Sequence, residues 1–153
     1  MEQPVIEICG IKKYFHVQTG LFGKKSLVRA VDDVSFSVMP GEIVGLVGES
    51  GSGKTTLARL ILSLTKPTGG QIFVNGVDIA RASRAQEREL RREIAVVFQD
   101  PAGNLNPRQS VGQSIMRPMI IHGTRREEAE LRAREALSMV KLDESYMDAF
   151  PAQ

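Results

Sequence analysis

The sequence predicts an α/β fold organised around a phosphate-binding loop, and three consecutive stretches carry that prediction. Gly48-Glu49-Ser50-Gly51-Ser52-Gly53-Lys54-Thr55 has the G-x-x-x-x-G-K-[ST] spacing. The residues before it, Ile43-Val44-Gly45-Leu46-Val47, form a short apolar run of the kind shown by a parallel strand buried on both faces. Those after it place Leu57, Leu60, Ile61 and Leu64 at helical spacing. Strand, glycine loop and helix, in that order, are the setting in which such a loop binds phosphate.

The chemistry of the loop follows from its backbone. Gly48, Gly51 and Gly53 permit positive φ and carry no side chain, so successive N–H groups can turn inward as an anion-binding nest. A helix starting near Lys54 adds the positive end of its dipole at the same place. Lys54 is suited to reach phosphate oxygens as a point charge, and the Thr55 hydroxyl to ligate Mg²⁺, a hard cation that takes oxygen ligands. A bland glycine-serine turn before an ordinary helix has no need of Lys-Thr at its end.

The remaining elements read as follows. Residues 4–10 and 34–38 are predicted strands, the second with Val34, Phe36 and Val38 alternating with Ser35 and Ser37 in the manner of a half-exposed antiparallel strand. The glycine- and lysine-containing stretch between Phe15 and Ala30 is expected to be a surface loop. Pro40-Gly41 is a turn, the helix after the glycine loop ends before Pro67, and Gly69-Gly70 begins another turn. Ile72 and Val74, then Val77 and Ile79, flank Asn75-Gly76, the strongest short hairpin signal available. Residues 84–92 form a short charged helix in which Glu87 and Glu89 interrupt the arginines, so a solvated face is expected, not a nucleic-acid patch. Ile94-Ala95-Val96-Val97-Phe98 is predicted as a second buried strand, broken by Gln99-Asp100-Pro101, with Gly103 and Pro107 keeping the next stretch irregular. A helix over 125–140 has Thr124 and Glu127 in capping-box spacing. It has an apolar face of Ala129, Ala133, Leu137 and Val140, and i,i+4 ion pairs Glu128–Arg132 and Glu130–Arg134.

Composition sets bounds around this core. At 153 residues the length favours one domain, and 42% apolar with 25% charged residues is the balance of a soluble globular chain. A net charge of +2 is too small to argue for nucleic acid. The single cysteine, Cys9, sits in an apolar strand and cannot close an internal disulfide, which points to a reducing compartment. The acidic start of the chain is the expectation of a protein without a secretory leader, and no apolar run approaches a membrane-spanning length. Work at a membrane is therefore expected to go through a partner.

Three further features narrow the loop's assignment. A pair of antiparallel strands precedes the loop strand, and a later strand runs into Val97-Phe98-Gln99-Asp100-Pro101. An aromatic, Phe15, follows the first strand in Ile11-Lys12-Lys13-Tyr14-Phe15. Together these resemble the ATP-binding subunits of ABC transporters over essentially the whole chain. The stretch from Gln99 to Arg108 and the extended loop from Val17 to Val28 resemble the oligopeptide/dipeptide/nickel importer branch. The resemblance implies a P-loop NTPase of ABC type, with an N-terminal antiparallel β subdomain and the start of a helical subdomain. It divides the chain into an ATP-binding core with β subdomain over 1–108 and a helical part over 109–153.

The resemblance also implies roles. Phe15 is the aromatic that stacks on adenine, with Tyr14 as the rival for that position. Gly48, Glu49, Ser50, Gly51, Ser52, Gly53, Lys54, Thr55 and Thr56 bind the phosphates of ATP. Gln99 reaches Mg²⁺ and the attacking water, so that Thr55 and Gln99 form the protein's part of the metal shell, and Lys54 and Gln99 are the catalytic residues. The implied partners are transporter membrane subunits, a second ATP-binding subunit in a head-to-tail dimer and, indirectly, a solute-binding protein, with no nucleic acid. The implied place is the cytoplasmic face of the cell membrane, held peripherally through those partners during uptake of peptides or a similar small solute.

The family pattern continues beyond what this sequence contains. The Leu-Ser-Gly-Gly-Gln signature, the acidic pair with the water-polarising glutamate and the switch histidine have no counterpart, and His16 and His122 lie in other settings. The expectation is an apparently truncated family member that binds ATP and does not hydrolyse it at a useful rate alone. Two other readings stand beside it, a stand-alone nucleotide-binding module without turnover and a non-functional fragment. A small-molecule kinase would need an acceptor site, for which no candidate is found.

Overall fold

The computed structural model describes residues 2–18, 25–100 and 102–151. It divides into two compact units, Met1–Ile94 and Ala95–Gln153. The first is built on a four-stranded antiparallel sheet. Strand β1 (Ile6–Gln18) pairs with β2 (Lys25–Val38) on one edge and with β3 (Gly69–Val74) on the other, and β4 (Val77–Asp78) completes the order β2-β1-β3-β4. Helix α1 (Lys54–Ile61) packs Leu57 and Leu60 into the core that Ile8, Ile11, Val31, Ile72 and Val74 form on one face of the sheet. The alternation of Val34, Phe36 and Val38 with exposed Ser35 and Ser37 is present as predicted.

The hairpin at Asn75-Gly76 forms with both turn residues left-handed, φ 48° and 76°, which matches the right-handed twist of the flanking strands. Pro40-Gly41 forms its turn, closed by Glu42 N–H donating to Met39 C=O at 3.1 Å. Gly69-Gly70 does not begin a turn but opens β3. The backbone of Gly70 crosses Gly10 so closely that a β-carbon there would lie 2.3 Å from the Gly10 carbonyl oxygen. The surface loop expected between Phe15 and Ala30 is largely strand, since β1 runs to Gln18 and β2 starts at Lys25; its remaining residues, 19–24, lie outside the described residues. Beyond Lys12, the last β1 residue paired with β3, the two strands continue as a two-stranded arm.

Both predicted buried strands require correction. Residues 43–47 and 94–98 have no strand assignment, and Ile43, Val47 and Val97 are 97%, 97% and 90% exposed. A parallel strand earns that name only when neighbours hydrogen-bond to its edges and helices cover its faces. No described strand pairs with either run.

Helix α2 (Arg84–Glu93) closes the first unit. Ser83 and Gln86 form a capping box, Leu90 is its buried residue, and the side chains of Asn75 and Glu93 join the hairpin to its last turn. In the second unit a 3-10 turn (Ala102–Asn104) precedes α3 (Val111–Ile121), a helix hidden in the sequence by Gly112 and Pro118. Gly112 meets the segment after α4 so closely that a β-carbon would lie 2.7 Å from the Met147 carbonyl oxygen. Helix α4 (Arg126–Met139) buries Ala129, Ala133 and Leu137 as predicted, and the Glu128–Arg132 and Glu130–Arg134 pairs form at 2.7 and 2.6 Å. Val140 lies past its end and is exposed, and the N-cap is Arg125 with no side-chain bond, so the Thr124 capping box does not form. Thr124 is one residue too early; its own N–H closes the preceding turn onto Met119 C=O. Among the described residues no helix is long and apolar enough to cross a membrane.

Candidate phosphate-binding site

The loop from Gly48 to Gly53 connects the exposed run 43–47 to α1, and its shape is set at its last residue. Gly53 is the N-cap of α1 with φ 95°. An L side chain is strained at that angle, and here it also lacks room: its β-carbon would lie 2.1 Å from the Ala30 carbonyl oxygen of β2. The chain therefore turns into α1 directly against the strand. Gly51 is left-handed as well, φ 84°, while Gly48 is not; what Gly48 supplies is space beside Ser52 Oγ.

Lys54, the first residue of α1, folds back over this loop. Its ammonium donates to the carbonyls of Gly48 and Glu49, both at 2.7 Å, and lies 3.3 Å from Ser52 Oγ. Ser52 N–H donates to Glu49 C=O at 3.2 Å. The loop is thus tied into a closed ring around a positive charge.

The fit to phosphate can be tested on α1 itself. A helix begins with N–H groups that have no intrahelical partner. At α1 the N-cap is a glycine with no side-chain cap, and the first turn contains no acidic residue. The helix dipole and the Lys54 charge add at this end, and the first turn of α1 supplies no acidic side chain to offset them, so the local field favours a phosphate. A divalent cation finds less. Thr55 is exposed at the same helix end, and among the described residues no group of three or more His, Cys, Asp or Glu side chains could hold a metal. Mg²⁺ would be held chiefly by phosphate oxygens and water, with the Thr55 hydroxyl as the protein's ligand.

The structure places Gly48 to Gly53 in the loop and Lys54, Thr55 and Thr56 in the first turn of α1. It places Phe15 on the two-stranded arm, paired with Val28 and 40% exposed. Lys13 holds its ammonium 5.0 Å from the Phe15 ring centroid while donating to the Lys66 carbonyl at 2.7 Å. Gln99 is exposed and belongs to the second unit, ahead of a turn in which Gly103 N–H donates to Asp100 Oδ1 at 3.2 Å.

Tyr14, the rival for the aromatic position, sits in a cluster of side chains on the arm. Tyr14 points to the side of the arm opposite Phe15, where its hydroxyl bonds Asp32 and the Arg29 guanidinium lies 5.6 Å from its ring. That hydrogen bond holds the Asp32 carboxyl below its ordinary range, with Arg29 adding to the effect, and holds the Tyr14 hydroxyl above its own. Arg29 and Asp32 also pair at 3.4 Å. The opposite charges three apart were visible in the sequence, but the cross-strand register that aims them at Tyr14 was not.

The sequence matches the ABC transporter family over residues 31–152. Among curated relatives, the chain is 38% identical over 154 residues to the dipeptide transport ATP-binding protein DppF of Escherichia coli strain K12, covering 99% of this chain and 46% of that protein. It is 42% identical over 154 residues to the oligopeptide transport ATP-binding protein AppF of Bacillus subtilis strain 168, covering 98% and 46%. The chain thus spans less than half the length of these relatives. Among solved structures, the ATP-binding cassette MJ0796, in a dimeric post-hydrolysis state bound to ADP and Pi, superposes with a TM-score of 0.78 at 28% identity, over 97% of this chain and 62% of that one. The fold is that of an ABC-type cassette, and the chain belongs to the ABC transporter family.

Proposed function

We propose that this chain is the ATP-binding part of a subunit that energises uptake of peptides or a similar small solute. The observation that carries the reading is the Lys54 ring. A lysine held across a glycine loop, at a helix start with no side-chain cap and no acidic residue in its first turn, puts positive charge where a phosphate would bind. The names of DppF and AppF support a peptide importer, and the dimeric cassette MJ0796 with ADP and Pi supports a nucleotide held in a paired assembly. Within that reading the backbone of Gly48 to Gly53, with Lys54, Thr55 and Thr56, binds the phosphates, and Phe15 takes the base on its exposed ring. Thr55 carries Mg²⁺, which neutralises phosphate charge. The subunit sits at the cytoplasmic face of the membrane through membrane partners and a second ATP-binding subunit.

A stand-alone nucleotide-binding module is the competing reading. The exposed apolar runs at 43–47 and 95–98 count against it, because a free module with such unpaired edges is prone to aggregate. Co-purification of the full-length chain from its own cells separates the two. Recovery in a complex with integral membrane proteins supports the transporter reading, and recovery as a monodisperse free protein overturns it.

A further inference from the structure

The arm that carries Phe15 leaves the sheet at an irregularity. Lys13 is opposite Val31, but Tyr14 is opposite Arg29, so Ala30 is an extra residue on β2 with no partner of its own. This same Ala30 presents its carbonyl to Gly53 of the phosphate loop. The bulge is thus the point where the arm and the phosphate cradle touch. A two-stranded ribbon has little stability of its own in water, and its direction is loose unless something braces it.

The brace lies across the bulge. Tyr14, the first arm residue beyond it on β1, bonds Asp32, which follows the bulge on β2, and the ring of Tyr14 rests against Arg29 on the bulge's other side. The Tyr14 N–H donates to Thr68 Oγ1 at 3.1 Å, fastening the same residue to the segment that leads into β3. Successive strand residues face opposite ways, so whatever fixes the Tyr14 side chain on one face fixes the Phe15 ring on the other.

We infer that Tyr14, locked to Asp32 and Arg29 across the Ala30 bulge, is a positioning residue that sets where the Phe15 ring stands relative to the phosphate loop. The inference rests on the nucleotide reading of that loop. Tyr14 does not touch the base; it aims the side chain that does. The lock therefore governs affinity for a nucleotide and leaves affinity for a bare polyphosphate alone. Asp32→Asn keeps an acceptor oxygen for the tyrosine hydroxyl, whereas Asp32→Ala removes it, and Tyr14→Phe removes only the donor.

The test is calorimetric titration of the full-length chain with Mg-ATP and, separately, with inorganic tripolyphosphate. Tyr14→Phe and Asp32→Ala are each expected to weaken ATP by about fivefold to tenfold, as loss of one hydrogen bond to a charged group allows. The double variant is no worse than either, Asp32→Asn stays near the unaltered chain, and tripolyphosphate binding is unmoved in all four. Phe15→Ala reproduces the ATP loss. Equal weakening of both ligands in Tyr14→Phe would overturn the inference, since the lock would then support the loop and not the ring. So would an ATP affinity that neither Tyr14→Phe nor Phe15→Ala changes. If the unaltered chain binds neither ligand, the nucleotide reading itself fails and the inference goes with it; if it binds both and only the lock variants are silent, the reading stands and the inference alone is lost.

Discussion

The α-carbon of Gly53 faces the carbonyl oxygen of Ala30 so closely that a β-carbon would stand 2.1 Å away. Backbone meets backbone there, so neither side can rotate out of the way. Gly53→Ala combines that collision with the strain of φ 95°, and is expected to destabilise the first unit by at least about 2 kcal/mol in chemical denaturation. Gly51→Ala is the control, because φ is 84° but nothing lies within 4 Å of the added carbon; it is expected to lose about 1 kcal/mol. Equal losses in the two variants would contradict the contact with β2.

The lock between Tyr14 and Asp32 has a pH signature. The tyrosine hydroxyl, and then Arg29, depress the folded carboxyl value of Asp32, so its contribution is complete above the unfolded value of about 3.9 and fades as pH falls through the lower folded value. The hydrogen bond to Asp32 raises the Tyr14 hydroxyl, so its contribution is complete below about 10 and fades as pH rises through the raised folded value. The stability difference between the unaltered chain and Tyr14→Phe is therefore flat from about pH 5 to 9 and narrows at both ends. A difference that grows in acid would show that the lock is not held by an ionised Asp32.

Leu60 has no exposed surface and anchors α1 to the sheet beneath the phosphate loop. Leu60→Ala is expected to destabilise by about 2–5 kcal/mol, through lost burial and the cavity left behind. Leu64, spaced as if on the same face but lying past the helix end and 63% exposed, is expected to tolerate Ala within about 0.5 kcal/mol. Urea denaturation of both variants checks the contrast.

What could be read in advance depended on whether the signal was local. The 75–76 turn, the glycine loop, Leu57 and Leu60 of α1, and Ala129, Ala133 and Leu137 of α4 are settled by residues within one or two turns of one another and stand where their spacing places them, whereas Leu64 and Val140 fall past the ends of their helices. The runs 43–47 and 94–98 carry the composition of parallel strands, but a strand exists only through its neighbours, and no described strand pairs with them. Helix α3 was obscured by Gly112 and Pro118, which mark close packing against Met147 and a missing donor, not an absence of helix. The lock at Tyr14 required the bulge at Ala30, a register property that no spacing within β1 or β2 reveals.

Ala133 is fully buried where α4 meets α3, in a small cluster with Met116 and Ala129. Ala133→Leu overfills that contact and is expected to destabilise the second unit by about 1–3 kcal/mol. Ala136, on the same helix but half-buried, is expected to accept Leu with a smaller loss. A thermal melt monitored by circular dichroism distinguishes them.

Equilibrium titration of the full-length chain with Mg-ATP decides whether the Lys54 ring holds nucleotide phosphates. The expected result is saturable binding at one site per chain, weakened at least about tenfold by Lys54→Ala while the melting temperature without ligand stays close to that of the unaltered chain. Binding that Lys54→Ala leaves intact, or no binding by a folded chain, would contradict it.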